Sequence, residues 1–223
     1  MQLKPYQVFI GCPFAREVRA PFDRLKREIE AETPLSLVLA DTVGISSSDY
    51  LLDHITELIR DSACCIFDAT GGNPNVSLEV GIAHTVPVDF ILTMKTRKPR
   101  KPAVELVKSG KELRPIINDL QGKNRIEYKT YDSLKSQLES RYFSRLPFFK
   151  RWRAFKADNK NMAEFATGLF NDLRSSGRST TARLTASVEG SGFSATDVLN
   201  ALQAHKLISV RRGRNGGIFY PVK

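Results

Sequence analysis

Residues 63–94, ACCIFDATGGNPNVSLEVGIAHTVPVDFILTM, contain two short apolar runs separated by a helical pattern. The runs Ala63–Asp68 and Asp89–Met94 have the length and composition of buried strands. Between them, Asn73 and Pro74 mark a helix start, because asparagine caps helix N-termini and proline suits the first helical position. The stretch therefore predicts two parallel strands joined by a helix, which is the repeating unit of an α/β sheet.

The same alternation of apolar runs and amphipathic stretches extends over the first 150 residues. We predict strands at Gln7–Gly11, Leu35–Leu39, Ala63–Asp68, Asp89–Met94 and Arg125–Tyr128. We predict helices at Val18–Glu32, Ser48–Asp61, Pro74–Val86, Ala103–Lys108 and Asp132–Tyr142. This order indicates an α/β fold with a flavodoxin-like five-stranded parallel sheet. Its ligand crevice would lie at the carboxyl ends of the first and third strands.

Glu79 occupies an unusual position on the third predicted helix. At about 100° per residue, this helix has one apolar arc, and Glu79 projects from its middle. The arc consists of Val76, Leu78, Val80, Ile82, Ala83 and Val86. A carboxylate there must be paired, neutralised or functional, and we expect it to face the crevice. Two structural alternatives are an ion pair with Arg16 or Arg19 and a side chain that turns to the surface.

Two further features belong to the predicted crevice. Backbone N–H groups at the start of the third helix, preceded by Gly71 and Gly72, form a candidate site for a phosphate or another anion. The alternative is that the two glycines simply form a tight turn. Cys12 follows the first strand, as a phosphatase nucleophile would. Such a loop needs an arginine six residues later, where this chain has Val18, so we interpret Cys12 as a small lining residue.

Basic residues are distributed unevenly along the chain, which has 34 Lys and Arg against 24 Asp and Glu. Residues 1–149 contain 21 basic and 19 acidic residues, a net charge of +2. Residues 150–223 contain 13 and 5, a net charge of +8. A small, strongly basic segment favours a polyanionic partner, most often nucleic acid.

The composition indicates two domains, 1–145 and 161–223, joined by a linker at 146–160. Aromatic residues of the linker either pack against a neighbouring domain, which we favour, or stack on bases; they are Phe148, Phe149, Trp152 and Phe155. The second domain reads as three helices and a hairpin: Met162–Arg174, Thr181–Val188, Ser194–Lys206, Leu207–Arg212 and Ile218–Val222. We predict that Ser194 and Asp197 form a capping box. The pattern resembles the winged helix-turn-helix family.

That resemblance implies nucleic-acid binding through the third helix and the hairpin of the second domain. The candidate contacts are Asn200, Gln203 and Lys206 on the helix and Arg211, Arg212 and Arg214 on the hairpin. Phosphate contact is the role we expect, because no arginine on the helix points outward to read guanine. Winged helices also dock proteins, which is the alternative for the same surface.

Several classes of protein do not fit this sequence. No apolar run approaches the roughly 18 residues of a membrane span, and the N-terminus lacks the pattern of a signal peptide. We therefore expect a soluble, cytoplasmic protein without membrane contact. Three cysteines show no metal-binding spacing, and three histidines are widely spread. We expect no disulfide and no metal site.

The segments VFIGCPF at 8–14 and DATGGNPNVSLEVGIAHTV at 68–86 resemble a group of bacterial domains. The group is related to Toll/interleukin-1 receptor (TIR) domains and to nucleoside 2-deoxyribosyltransferases, and the resemblance covers roughly residues 5–145. In these relatives a glutamate attacks or stabilises the anomeric carbon of a ribosyl group, and aspartate or asparagine residues bind the ribose hydroxyls. The matching positions here are Asp68, Asn73, Asn75 and Glu79.

The resemblance implies cleavage of an N-glycosidic bond in NAD or a nucleotide, with Glu79 as the catalytic residue. The expected substrate-binding residues are Gly11, Cys12, Phe14, Asp41, Asp68, Asn73 and Asn75. No cofactor is expected beyond NAD or a nucleotide as substrate or ligand. The layout is similar to deoxyribosyltransferase-like effectors of anti-phage systems such as retrons, which implies a homo-oligomer or a defence-complex partner. The alternative is a non-enzymatic, nucleotide-sensing regulator that binds DNA.

Overall fold

The structure is a computed structural model that describes residues 3–40, 48–96, 125–176, 179–180, 186, 192–213 and 216–221. Its first sheet has five parallel strands: β1 (Lys4–Gly11), β2 (Ser36–Leu39), β3 (Ser62–Asp68), β4 (Asp89–Lys95) and β5 (Arg125–Tyr128). The helices of this part are α1 (Arg16–Glu32), α2 (Ser48–Asp61), α3 (Pro74–Thr85), α4 (Tyr131–Arg141) and α5 (Pro147–Asp158). Each predicted strand and helix in the described ranges is present, with ends displaced by at most three residues.

The strand order of the first sheet is β2-β1-β3-β4-β5, and all neighbouring strands are parallel. This confirms the predicted flavodoxin-like order, in which the chain reverses its direction of travel between β1 and β3. Gly11 and Phe67 are partners in the register at the carboxyl ends of those two strands. The carboxyl ends of β1 and β3 therefore meet at this pair of residues, which is where the sequence predicts a crevice.

Two apolar layers cover the two faces of the sheet. On one face, Phe9 and Phe67 pack with Val76 and Val80 of α3. On the other face, strand residues such as Ile10 pack in a larger cluster with buried residues of α1, α4 and α5. Strand residues therefore alternate between two buried environments, which explains why the strands are nearly continuous apolar runs.

The C-terminal part contains two described helices, α6 (Ala163–Ser176) and α7 (Ala195–Ala204), and a second sheet. This sheet is antiparallel, with the order β6-β8-β7, where the strands are β6 (Ser179–Thr180), β7 (Ile208–Gly213) and β8 (Gly216–Pro221). The predicted helices Ala103–Lys108 and Thr181–Val188 lie outside the described residues, apart from Ala186. No described helix is long and apolar enough to cross a membrane.

The segment predicted as a linker forms α5, and its aromatic residues are part of the core. Phe148, Phe149, Trp152 and Phe155 are all buried, so they are not available to stack on bases. The larger apolar cluster continues from the first sheet through α5 to α6, α7 and β8. Two ring pairs connect the parts directly, because Tyr6 of β1 contacts Phe148 and Phe170 with centroid distances of 6.0 and 5.7 Å.

The start of α7 differs from the prediction. Ser194 is the N-cap residue, but its hydroxyl makes no capping hydrogen bond, so the predicted capping box with Asp197 is wrong. Asp197 still lies in the first turn, where its negative charge interacts favourably with the positive end of the helix dipole. Burial of Ala195, Val198, Leu199 and Leu202 is the main force that holds this helix.

Candidate active site

Glu79 is placed by the geometry of the β3–α3 connection. The Asn73 side chain caps α3 by accepting hydrogen bonds from the N–H groups of Asn75 and Val76, at 2.9 and 3.3 Å. Pro74 follows as the first helical residue. The helix therefore begins directly above the carboxyl end of β3 and carries Glu79 in its second turn, against the sheet.

The Glu79 carboxylate lies against the end of β1. A β-carbon added to Gly11 would lie 2.1 Å from Oε2 of Glu79 and 2.6 Å from Cδ1 of Phe67. Both distances are far shorter than a van der Waals contact, so no residue larger than glycine fits at position 11 without displacing these side chains. Gly11 therefore makes the space that the carboxylate occupies.

The carboxylate is buried without a described partner. Glu79 is 7% exposed, and its Oε2 atom is inaccessible and accepts no hydrogen bond from any described residue. Burial raises the pKa of Glu79 to about 7, because the charged form loses its hydration. The proposed ion pairs are not found among the described residues: Arg19 binds Asp23 at 3.1 Å, and Arg16 is exposed.

The buried stripe of α3 is narrower than the sequence indicated. Its members are Val76, Glu79, Val80 and Ala83, whereas Leu78 is 53% exposed. Leu78 is two residues from both Val76 and Val80, which places it about 200° around the helix from each. The predicted arc was therefore too wide at Leu78, but its prediction that Glu79 lies on the buried side is confirmed.

Asp68, the last residue of β3, has a structural contact of its own. Its Oδ1 atom accepts a hydrogen bond of 2.8 Å from the N–H of Thr70, while Oδ2 is buried without a described partner. The residue is 0% exposed, and burial raises the pKa of its carboxyl. In this conformation Asp68 holds the turn after β3 and does not present an open face to a ligand.

The anion site predicted at the start of α3 is not supported by the hydrogen bonding. The N–H groups of Asn75, Val76 and Ser77 are all bonded to Asn73, through its side chain or its carbonyl. The glycine pair instead supplies the turn, because Gly71 and Gly72 have φ values of 78° and 69°. Only glycine adopts such angles freely, so the alternative of a tight turn applies.

The remaining crevice residues differ in exposure. Cys12 is half-buried, and burial raises the pKa of its thiol to about 12, with further upward contributions from Asp68 and Glu79. The thiol is therefore protonated at neutral pH and lies near both carboxyls, as a lining residue would. Phe14 and Asn75 are exposed, and Asp41 lies outside the described residues.

Tyr128 lies near Asp68 and Cys12, and the sequence reasoning missed it; its side chain is 2% exposed and belongs to the larger apolar cluster. It is the last residue of β5, and Lys95 of β4 is its partner in the register. Burial raises the pKa of its hydroxyl, and the negative charge of nearby Asp68 raises it further. The only sequence signal was a polar-tipped residue at the carboxyl end of a predicted strand, the edge where the other candidates lie.

Sixteen chains of solved structures match this chain. A 2-desoxiribosyltransferase from Leishmania mexicana superposes with a TM-score of 0.46 at 12% sequence identity, over 61% of this chain and 99% of that chain. No known family model matches the chain, and no curated protein matches it.

The structure describes four of the six predicted nucleic-acid contacts in detail. Asn200 and Gln203 are exposed on α7, one turn apart, while the opposite side of the helix is buried. Lys206 and Arg211 are exposed after the helix and on β7. The side chain of Arg212 and all of Arg214 lie outside the described residues.

Lys206 has a left-handed backbone, with φ of 55°. Its N–H bonds to the carbonyl of Gln203, and the N–H of Leu207 bonds to the carbonyl of Leu202. This pattern is a Schellman motif, in which the left-handed position is usually glycine. A lysine in this conformation lowers the stability of the fold. Its exposed amino group is therefore a candidate for a functional role.

The described residues contain no cluster of three or more His, Cys, Asp and Glu side chains that could hold a metal ion.

Proposed function

We propose that the chain cleaves the N-glycosidic bond of NAD or a nucleotide, with Glu79 as the catalytic carboxylate. One observation carries this proposal: a buried glutamate without a described partner lies at the carboxyl edge of the sheet, pressed against Gly11. A carboxylate of this kind destabilises the fold, and such groups concentrate at functional sites.

The environment of Glu79 suits the chemistry. Breaking an N-glycosidic bond creates positive charge on the anomeric carbon, which a nearby carboxylate stabilises or captures. With a pKa of about 7, Glu79 is about half ionised at neutral pH. Its apolar surroundings, which include Phe67, strengthen the attraction to that positive charge compared with a solvated carboxylate.

The leaving base takes the electron pair of the broken bond, and water or an acceptor base forms the new bond to the anomeric carbon. Nicotinamide leaves NAD as a neutral molecule, whereas a purine or pyrimidine base needs a proton. Asp68 is the nearest second carboxyl by position along the sheet edge, and burial raises its pKa as well. Asn75 and Phe14 are both exposed. In this proposal Asn75 supplies an amide for a ribose hydroxyl, and Phe14 supplies a ring for the base. Asp68 takes part only after the turn at Thr70 opens, because the residue is fully buried here.

The C-terminal part is proposed to be a winged helix-turn-helix that binds nucleic acid and thereby regulates or localises the enzyme. Support comes from the charge of residues 150–223, which contain 13 basic and 5 acidic residues, and from the exposed polar residues of α7. A role in anti-phage defence is proposed from the sequence resemblance alone.

The experiment is a product assay by liquid chromatography and mass spectrometry. Wild type and Glu79→Gln are incubated with NAD, nucleotides and deoxynucleosides, with and without DNA. The proposal predicts a free base that only wild type releases. Bound ligand without product under every condition would contradict an enzymatic role.

The second candidate is a regulator that senses a nucleotide and responds on DNA, and the tight packing between the two parts favours it. Arg174 of α6 donates a 2.9 Å hydrogen bond to the carbonyl of Leu35, and Asn171 donates one of 3.3 Å to the carbonyl of Glu30. Both carbonyls lie where α1 ends and β2 begins, at the edge of the sheet opposite Gly11 and Glu79. A ligand that shifts α1 or β2 as a whole would therefore move α6. Ligand-dependent DNA affinity without product formation would identify this candidate.

A further inference from the structure

The exposed face of α5 carries an unbalanced row of cations. Lys150, Arg153 and Lys156 follow each other at three-residue spacing and are all exposed. Residues three apart on a helix are neighbours, with about 5–6 Å between their β-carbons. The three side chains therefore form one continuous ridge along the helix.

None of these three cations forms a salt bridge with a described residue. By contrast, cations on α1 and α4 are paired: Arg24 and Lys135 bind Glu28, and Lys26 binds Glu30. Like charges at helical spacing destabilise a helix by about 0.2–0.5 kcal/mol per pair. The row on α5 thus costs the helix stability and makes no described ion pair that would offset the cost.

We propose that this row is a second contact surface for the phosphate backbone of a nucleic-acid duplex, carried by Lys150, Arg153 and Lys156. Its position supports this assignment. The last turn of α5 packs against the end of α7: the Phe155 and His205 rings are 5.5 Å apart, and Asp158 lies 3.5 Å from His205. The row therefore ends in the turn of α5 that contacts His205, the residue before Lys206 in the surface already proposed to bind nucleic acid.

Two features of α5 argue against other polyanions. A basic amphipathic helix binds a membrane by inserting its apolar face, but the apolar face of α5 is buried in the core. Single-stranded nucleic acid is held largely by stacking on exposed aromatic rings, and the four aromatic residues of α5 are buried as well. Phosphate contact with a duplex needs only the cations.

The test is duplex binding as a function of salt. A fluorescent DNA duplex of arbitrary sequence is titrated by anisotropy between about 50 and 200 mM KCl, with the full chain. The triple variant Lys150→Gln, Arg153→Gln, Lys156→Gln is expected to reduce the slope of log affinity against log salt by about 2–3, because each lost phosphate contact removes about 0.9. Circular dichroism establishes that the variant is folded.

The matched control is Arg24→Gln, Lys26→Gln, Lys135→Gln, which lowers the net charge from +10 to +7 as the α5 variant does. These cations are paired with acids, so the slope is expected to stay at the wild-type value. An equal loss in both variants would overturn the proposal, since it would reflect net charge alone. A folded α5 variant with an unchanged slope would overturn it as well.

Further arms separate this proposal from the others. It does not rest on glycosidic cleavage, so Glu79→Gln is expected to bind the duplex as wild type does. The double variant Asn200→Ala, Gln203→Ala tests the α7 surface independently. A wild-type slope in this variant, together with a reduced slope in the α5 variant, would still support the row. Wild type that binds phosphatidylserine vesicles but not the duplex would overturn the proposal in favour of a membrane surface.

Discussion

Two glutamates, Glu28 and Glu79, lie on helices that flank the same sheet, and their surroundings are opposite. Glu28 of α1 accepts hydrogen bonds from Arg24, Tyr131 and Lys135, at 2.7, 2.7 and 2.9 Å. These hydrogen bonds lower the pKa of Glu28 to about 2, and the bond from Lys135 has the largest effect. Glu79 has no described hydrogen-bond partner, and burial raises its pKa to about 7.

The difference separates a stabilising carboxylate from one that we propose to be functional. Glu28 stays charged and joins α1 to α4, so its role ends with the fold. Glu79 is kept in a place where its charge is unfavourable, and a glutamine of the same shape would fit with less cost. The fold tolerates Glu79 without benefiting from it, which is the pattern expected at an active site.

The largest expected effect is a difference in enzymatic activity between variants of the two glutamates. Glu79→Gln is expected to reduce base release by on the order of 10³-fold or more, because the carboxylate that meets the developing cation is lost. Glu28→Gln should leave turnover nearly unchanged and lower the melting temperature. The rates of base release and the melting curves of both variants test this comparison. Equal losses of activity in the two variants would contradict it.

The pH dependence of stability should also differ at the two positions. Because the pKa of Glu79 is raised from 4.5 to about 7, the wild type loses stability as pH rises through that window. Glu79→Gln escapes this loss and should be more stable above pH 7 by on the order of 3 kcal/mol, with little difference below pH 4.5. Urea denaturation at several pH values measures the difference, and a constant difference would contradict a buried, unpaired carboxyl.

Gly11→Ala tests the space beside Glu79. The new methyl group would collide with Oε2 of Glu79 and with the ring of Phe67, so we expect a loss of about 1–3 kcal/mol and a larger relative loss of activity. Gly81→Ala on α3 is the matched control, since no described atom outside its chain neighbours and its own helix backbone lies within 4 Å of the added carbon. It should stabilise the helix by about 0.5–1 kcal/mol. Similar melting temperatures for the two variants would refute the close approach.

The smallest expected effect concerns Lys206. Lys206→Gly relieves the left-handed backbone and should add about 0.5–1 kcal/mol of stability while DNA binding weakens. Lys206→Gln keeps the backbone cost and removes the charge, so it should weaken binding equally without the gain in stability. Melting curves and duplex anisotropy measure both. A Lys206→Gly variant that binds DNA as wild type does would leave Lys206 without a phosphate contact.

The order of elements in the first sheet was predictable because its signals are local. Apolar runs mark the strands, and Asn73 with Pro74 marks a helix start that the structure reproduces as a cap. The burial of Glu79 followed from helical periodicity alone. The same periodicity failed at Leu78, because the width of the buried stripe depends on how α3 rests on the sheet, which sequence spacing does not encode.

Long-range packing was the part that sequence could not supply. Asp68 was expected to face a ligand, and it is buried because the chain folds back at Thr70. The position of Tyr128 depends on the alignment of the ends of two strands, β4 and β5. The segment 146–160 was predicted to be a linker because its composition changes there, and packing of its aromatic residues against a neighbouring domain was the favoured alternative. These residues are buried in a core formed by both parts of the chain, which their spacing alone did not specify.

The most direct test of the central claim is the titration of Glu79 itself, followed by carbon NMR on protein with labelled glutamate side chains. Glu79→Gln identifies its resonance, and Glu28 serves as the internal reference. The expected result is a Glu79 pKa near 7, a Glu28 pKa near 2, and a Glu79 resonance that moves when the ligand from the product assay is added. A Glu79 resonance that titrates near 4.5 and does not respond to NAD, nucleotides or deoxynucleosides would contradict the account.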